Sequence, residues 1–275
     1  MKNTVVGLCR FSYLAQGGFA NAKLSLEDRV AMLFDPKRLD ERFAMFETLC
    51  LPSLAAQTDR DFCLVVLSSQ ALPYPAKTRL RALAETYPFL SLAFLPPMGP
   101  LISTRRAFRK GWQDGCDYVT GFRIDDDDAV AVDYIARTRQ MADRALADGW
   151  ADGDNPVAIS FHRGLYLNLA APGAPIYDLS EPVPLGQATA MVTAADSTSN
   201  VYRWNHRRLA AHVRLQSDPR DLMYIRSFHD HNDSDRSLPP GAVALDDAAA
   251  RQLVVARFGV DPAALDALRA RMAPA

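Results

Sequence analysis

The chain has 275 residues, 49% of them hydrophobic and 23% charged, with a net charge of -1. That is long enough for one large α/β domain with a substantial core, and its charge gives no global bias toward nucleic acid or an anionic membrane. No apolar run reaches the ~20 residues that span a bilayer, the Val5–Cys9 run stops at Arg10 before it could be a signal core, and the four cysteines form no C-x-x-C pair. A cytoplasmic protein with buried free thiols is expected.

In chain order, Thr4–Cys9 predicts a first strand followed by a loop through Gly17-Gly18, and Asp35-Pro36 to Leu51 predicts a helix. Phe62–Leu67 reads as a buried parallel strand, Pro75–Tyr87 as a helix, Leu90–Leu95 as a strand and Leu101–Trp112 as a basic helix. Tyr118–Ile124 is the central strand, and Val132–Ala147 a further helix. After the Gly/Asp loop at 148–156 the texture changes. Val157–Phe161 and Gly164–Leu169 suggest a hairpin, residues 172–184 are proline-rich, Gln187–Thr193 is a strand and Asn205–Val213 a helix. Leu222–Ile225 leads to a polar patch, His229 to Asp235, and Asp246–Arg271 reads as two amphipathic helices around Gly259, placed there for packing. The expected division is a domain over 1–245, with a nucleotide-sugar half (1–147) and an acceptor half (148–245), and a helical tail over 246–275.

The central strand delivers four consecutive carboxylates, Asp125 to Asp128, before an apolar pattern resumes at Ala129. Adjacent anions repel, so an ordered chain holds them in water, beside arginines or around a cation. Carboxylates are hard ligands for magnesium, manganese or calcium, and open α/β sheets bind ligands beyond their strand C-termini. Arg105 and Arg106, on the helix before this strand, are candidates to meet the cluster or a phosphate.

Several stretches together resemble glycosyltransferases of the A-type nucleotide-sugar fold. Leu51–Val66, including Gln57-Thr58, is similar to their opening helix, turn and second strand, and Asp125-Asp126-Asp127 to their D-x-D motif. Arg10-Phe11-Ser12, Gln57-Thr58-Asp59, Arg123–Asp128 and His229-x-x-Asn232-x-Ser234 more closely resemble the putative rhamnosyltransferase family of bacterial polysaccharide synthesis. The resemblance implies a single α/β domain with a mixed, mostly parallel sheet flanked by helices. It also implies transfer of a sugar, rhamnose for this family, from a dTDP- or UDP-sugar donor to a saccharide acceptor, with Mn2+ or Mg2+ as cofactor. It assigns the metal to Asp125, Asp127 and His229, and donor binding to Arg10, Ser68, Arg105, Arg106, Arg123, Asp126 and Asp128. Many related enzymes end the second strand on an aspartate that helps hold the base; Ser68-Ser69 stands there. An inverting reaction needs a base, for which Asp196 is the first candidate and His206 the second.

Two other classes fit an acidic loop. A calcium-binding module lacks the D-x-[DN]-x-[DN]-G pattern here, since Ala129 and Val130 follow the aspartates. A metal-dependent nucleotidyltransferase or phosphohydrolase would release pyrophosphate or phosphate instead of transferring sugar. No P-loop or G-x-G-x-x-G follows the first strand, which speaks against ATPase and dehydrogenase chemistry.

Overall fold

A computed structural model describes residues 1–17, 24–153, 155–171, 173–229 and 238–273. The first half alternates strand and helix: β1 (Asn3–Arg10), α1 (Leu26–Leu33), α2 (Pro36–Met45), α3 (Leu51–Ala55), β2 (Cys63–Ser69), α4 (Tyr74–Thr86), β3 (Leu90–Leu95), α5 (Pro100–Phe108), β4 (Tyr118–Asp125), β5 (Ala129–Val130) and α6 (Tyr134–Ala147). The second half is β6 (Val157–Asn168), β7 (Tyr177–Ser180), β8 (Thr189–Ala194), β9 (Arg214–Phe228), β10 (Val243–Ala244), α7 (Asp247–Phe258) and α8 (Pro262–Met272).

One sheet runs β10-β7-β6-β8-β4-β1-β2-β3, with β9 alongside β6 and β5. The pairs β3-β2-β1-β4 are parallel, as apolar strands covered on both faces should be. Parallel pairing dominates only there. β8 enters antiparallel to β4 and β6, and β7 and β10 continue antiparallel, while β9 runs parallel to β6. The two halves of the chain therefore share one sheet across the 147/148 boundary.

Along β1 and β4 the side chains alternate between two cores. Val5, Cys9, Phe122 and Ile124 face the larger one, with α2, α3 and α6 residues such as Phe43, Leu51 and Tyr134. Val6, Leu8 and Val119 face a smaller one, with Phe108 of α5, Val201 and Leu209.

Two expectations are corrected. The two apolar runs at 157–169 are one strand, not a hairpin: β6 passes through His162-Arg163 without reversing, and the register irregularity there is taken up by extra residues of β9 between Asp218 and Tyr224. Gly164 sits there because a Cβ would lie 2.1 Å from the Tyr224 ring. Residues 205–213 form a 3-10 segment, His206–Ala211, in place of an α-helix, with the Asn205 side chain accepting from the Arg207 N–H. The cysteines are free, but Cys63 and Cys116 are only partly buried.

The C-terminal helices are set by local signals. Asp246 and Asp261 cap them through their carboxylates, Pro262 opens α8, and Gly259 turns left-handed between them at φ 64°. They pack on the body: the Val132 N–H donates to the Arg257 carbonyl (2.9 Å), and Arg257 Nη1 reaches Asp133 at 2.8 Å.

Candidate active site

The four aspartates at the end of β4 go in different directions. Asp125 is the last residue of the strand and lies opposite Arg10 of β1. Its carboxylate is 3.6 Å from Arg10 and 3.7 Å from Arg123. Both guanidinium groups lie over the Tyr202 ring, at 5.3 and 4.9 Å from its centroid, and the Tyr202 hydroxyl donates to the Leu8 carbonyl at 2.9 Å. The ring thus holds two cations beside one anion.

Asp126 turns to the opposite side and is fully buried. It takes a two-pronged hydrogen bond from Arg42 of α2, whose Nε lies 2.8 Å from Oδ2 and whose Nη2 meets Oδ1. Asp127 is 5% exposed, with its Oδ2 2.7 Å from His229 Nε2 and 3.7 Å from Arg42 Nη1. Burial would raise its pKa, but the Arg42 charge and the His229 hydrogen bond outweigh that and hold it down at about 2. Asp128 is buried and accepts from the Ser227 N–H at 3.0 Å. Burial, then repulsion from Asp127 and Asp125, pushes its carboxyl well above the ordinary range.

The turn is braced from α3. Gln57 donates to the carbonyls of Ser53 (2.9 Å) and Ala131 (2.7 Å) and accepts from the Ile135 N–H (2.9 Å), while the Thr58 N–H donates to the Val132 carbonyl (2.7 Å). The Gln57-Thr58 pair singled out in the sequence therefore pins the segment that follows the aspartates.

Several sequence-assigned roles are corrected here. Asp126 and Asp128, expected to meet donor hydroxyls or to support the site from behind, are both buried, the first on Arg42 and the second on the Ser227 N–H, which fits the supporting place. Ser68 is buried as well. Arg105 lies lower, against Phe108, Trp112 and Val119, while Arg106 stays exposed with its charge reaching Tyr13. Asp196 is at the wrong end of the sheet. β8 runs antiparallel to β4 with Ala194 opposite Tyr118, and the Ala195 N–H donates to the Asp117 carbonyl. The seven residue steps from Tyr118 to Asp125 put about 23 Å between that edge and the acidic turn.

The second base candidate, His206, lies among the charges around Asp125. His206 is partly buried and feels both Arg123 and Asp125. Its burial, then the charges of Arg123 and Arg207, pushes its pKa down to about 4. A histidine neutral in the fold and protonated near pH 6.5 in the unfolded chain stabilises the protein above pH 6.5, and that contribution is lost as pH falls toward 4. His206→Gln should therefore flatten the acid limb of the stability curve, removing up to about 3 kcal/mol of its fall between pH 6.5 and 4, as read by urea unfolding at stepped pH. An unchanged limb would place the acid sensitivity elsewhere.

His229, joined to Asp127 across 102 residues, was visible in the sequence; Arg42 and Tyr202 were not. Arg42 stands in a helix 84 residues before Asp126, and no local pattern marks it as the partner. His231 and Asn232 lie outside the described residues. Among the described residues, no group of three or more metal-type side chains stands together, so the expected three-ligand set is represented by the Asp127–His229 pair, with Asp125 held by arginines.

Comparison with known proteins decides the family. Residues 4–240 match the model of the family described as "Putative rhamnosyl transferase". The chain belongs to this family. Its acidic turn stands at the C-terminal end of the central strand. Among solved structures, residues 1–349 of TarS from S. aureus, in complex with UDP-GlcNAc, align at 11% identity and a TM-score of 0.43, covering 84% of this chain and 60% of that one. The same TarS segment with UDP aligns at 11% identity and a TM-score of 0.40, covering 83% and 61%. A putative nucleotide-diphospho-sugar transferase from Desulfovibrio desulfuricans G20 aligns at 13% identity and a TM-score of 0.40, covering 99% of both chains. The chain spans about 60% of the TarS chains it matches, and likeness at that level does not extend to substrate or mechanism. No curated protein matches the sequence. Among the described residues, no helix is long and apolar enough to cross a membrane.

Proposed function

We propose that the enzyme moves a sugar from a nucleoside-diphosphate donor, a dTDP- or UDP-sugar, to a saccharide acceptor in surface polysaccharide synthesis, with Mn2+ or Mg2+ held at Asp127 and His229. The family's description makes rhamnose the first sugar to test. One observation carries the metal assignment: two residues 102 apart, both buried, meet at 2.7 Å at the ligand-binding end of the sheet. A carboxylate and an imidazole suit manganese or magnesium, which complete their shell with water and substrate phosphates. Arg42 stands near Asp127 but is fixed on Asp126, so its charge is already matched.

When bound, the ion neutralises charge developing on the departing diphosphate. Arg10 and Arg123, kept on the Tyr202 ring, face the same oxygens with a rigid pair of guanidinium groups. Asp125 orders those arginines, and its exposed edge is left to receive donor hydroxyls. His206, neutral at pH 7, takes the acceptor hydroxyl proton.

Calorimetry with UDP and dTDP, with manganese and with chelator, tests this reading. Affinity should be at least about tenfold higher with the metal, since the ion links the phosphates to Asp127 and His229. Equal affinity in both conditions would remove the metal from the site.

A further inference from the structure

From Ser197 to Ser217 the chain contains Arg203, Arg207, Arg208, Arg214 and two histidines, with no aspartate or glutamate. In a protein of net charge -1 this is a local cationic excess. The four arginines are exposed, and none has an ion-pair partner among the described residues. Some surface arginines elsewhere are matched, Arg163 with Asp178, Arg251 with Asp266 and Arg271 with Asp40, while Arg60, Arg81, Arg106 and Arg109 are exposed without an ion pair among the described residues.

The segment is also fixed in place. Tyr202 begins it, docked under Arg10 and Arg123 beside Asp125. Arg203 lies over the Trp204 ring (5.2 Å), and Trp204 stacks on His212 (5.5 Å, 12° between planes). Leu209 is fully buried beneath the 3-10 turn, and Arg214 lies over Trp150 at 4.7 Å. Aromatic faces thus hold two of the cations in defined positions, at little further entropic cost on binding.

We propose that this Arg203–Arg214 surface is the acceptor site, and that the acceptor is a polyanionic saccharide, carrying carboxylate or phosphate groups along its chain. The proposal rests on the glycosyltransferase reading above and specifies its acceptor. A neutral glycan would leave the mutual repulsion of these arginines unrelieved, whereas a repeating anion neutralises it and is steered toward Asp125 and His206.

The test is fluorescence anisotropy with labelled oligogalacturonate, a phosphodiester-linked glycan and a neutral dextran oligomer of equal length. It uses the full chain and the variant R203E/R207E/R208E. At least one anionic oligomer should bind about tenfold or more tightly than dextran, weaken steeply with salt, and lose at least tenfold in the variant. UDP binding by calorimetry should be the same in both proteins, which also reports that the variant is folded. Dextran binding as tight as both anionic oligomers, or a variant that binds them unchanged, would overturn the proposal. So would tighter binding to anionic phospholipid vesicles or to an oligonucleotide of equal charge. If UDP fails to bind the wild type, it is the donor assignment that falls, and the anisotropy result stands apart from it.

Discussion

Asp126→Ala is expected to destabilise the protein by about 3–5 kcal/mol, the usual cost of removing one partner from a buried ion pair. The carboxylate is fully buried and joined at both oxygens to Arg42, whose side chain is only 11% exposed. Without it the guanidinium keeps one partner, Asp127, at 3.7 Å and loses its direct hydrogen bonds. Asp128→Asn should do the opposite. Burial and the neighbouring carboxylates raise its folded pKa, so its favourable contribution exists at low pH and is lost as pH rises from the ordinary carboxylate range through that higher value. An asparagine can still accept from the Ser227 N–H and carries no such loss, so the variant should be at least as stable as wild type at pH 7. Urea unfolding of both variants reads the contrast. Equal losses would mean that the four aspartates act as one undivided charge.

The second large effect concerns binding. Asp127→Asn and His229→Ala should each reduce manganese-dependent nucleoside-diphosphate affinity by at least about tenfold, while binding in chelator stays the same. Protons compete with a metal for an imidazole, so wild-type affinity should also fall as pH is lowered. Diphosphate oxygens titrate as well, and the informative measurement is the wild-type pH profile against that of His229→Ala. Profiles of the same shape and height would leave His229 as a packing residue.

Much of the first half was legible because its signals are local. Buried parallel strands are continuous apolar runs, and the aspartates interrupt one at the end where ligands bind. The second half was harder to read. Residues 157–169 form one strand whose His162-Arg163 step looks, in sequence, like a turn. Asp196 looked suitable because it follows a strand, but β8 is antiparallel, so the end of that strand is the far edge of the sheet. Strand direction is a tertiary fact, and period-2 patterning does not carry it. Nor does any pattern tell four adjacent aspartates apart. Their separation into an arginine-flanked edge, a buried ion pair, a histidine contact and a carboxyl bonded to backbone depends on Arg42, Ser227 and His229, which arrive from 84, 99 and 102 residues away.

The hydrogen bond from Val132 to the Arg257 carbonyl, with the Arg257 ion pair to Asp133, has a consequence for synthesis on the ribosome. Chains fold from the N-terminal side as they emerge, and β1 to β4 can pair early. The acidic turn cannot be completed then. Ser227 and His229 come about a hundred residues after it, and its trailing edge is fastened by residue 257, beyond the 4–240 span matched by the family. A nascent chain stalled before that point would expose a cluster of carboxylates with only Arg10, Arg42 and Arg123 to meet them. The acidic turn is therefore among the last parts of the molecule to mature.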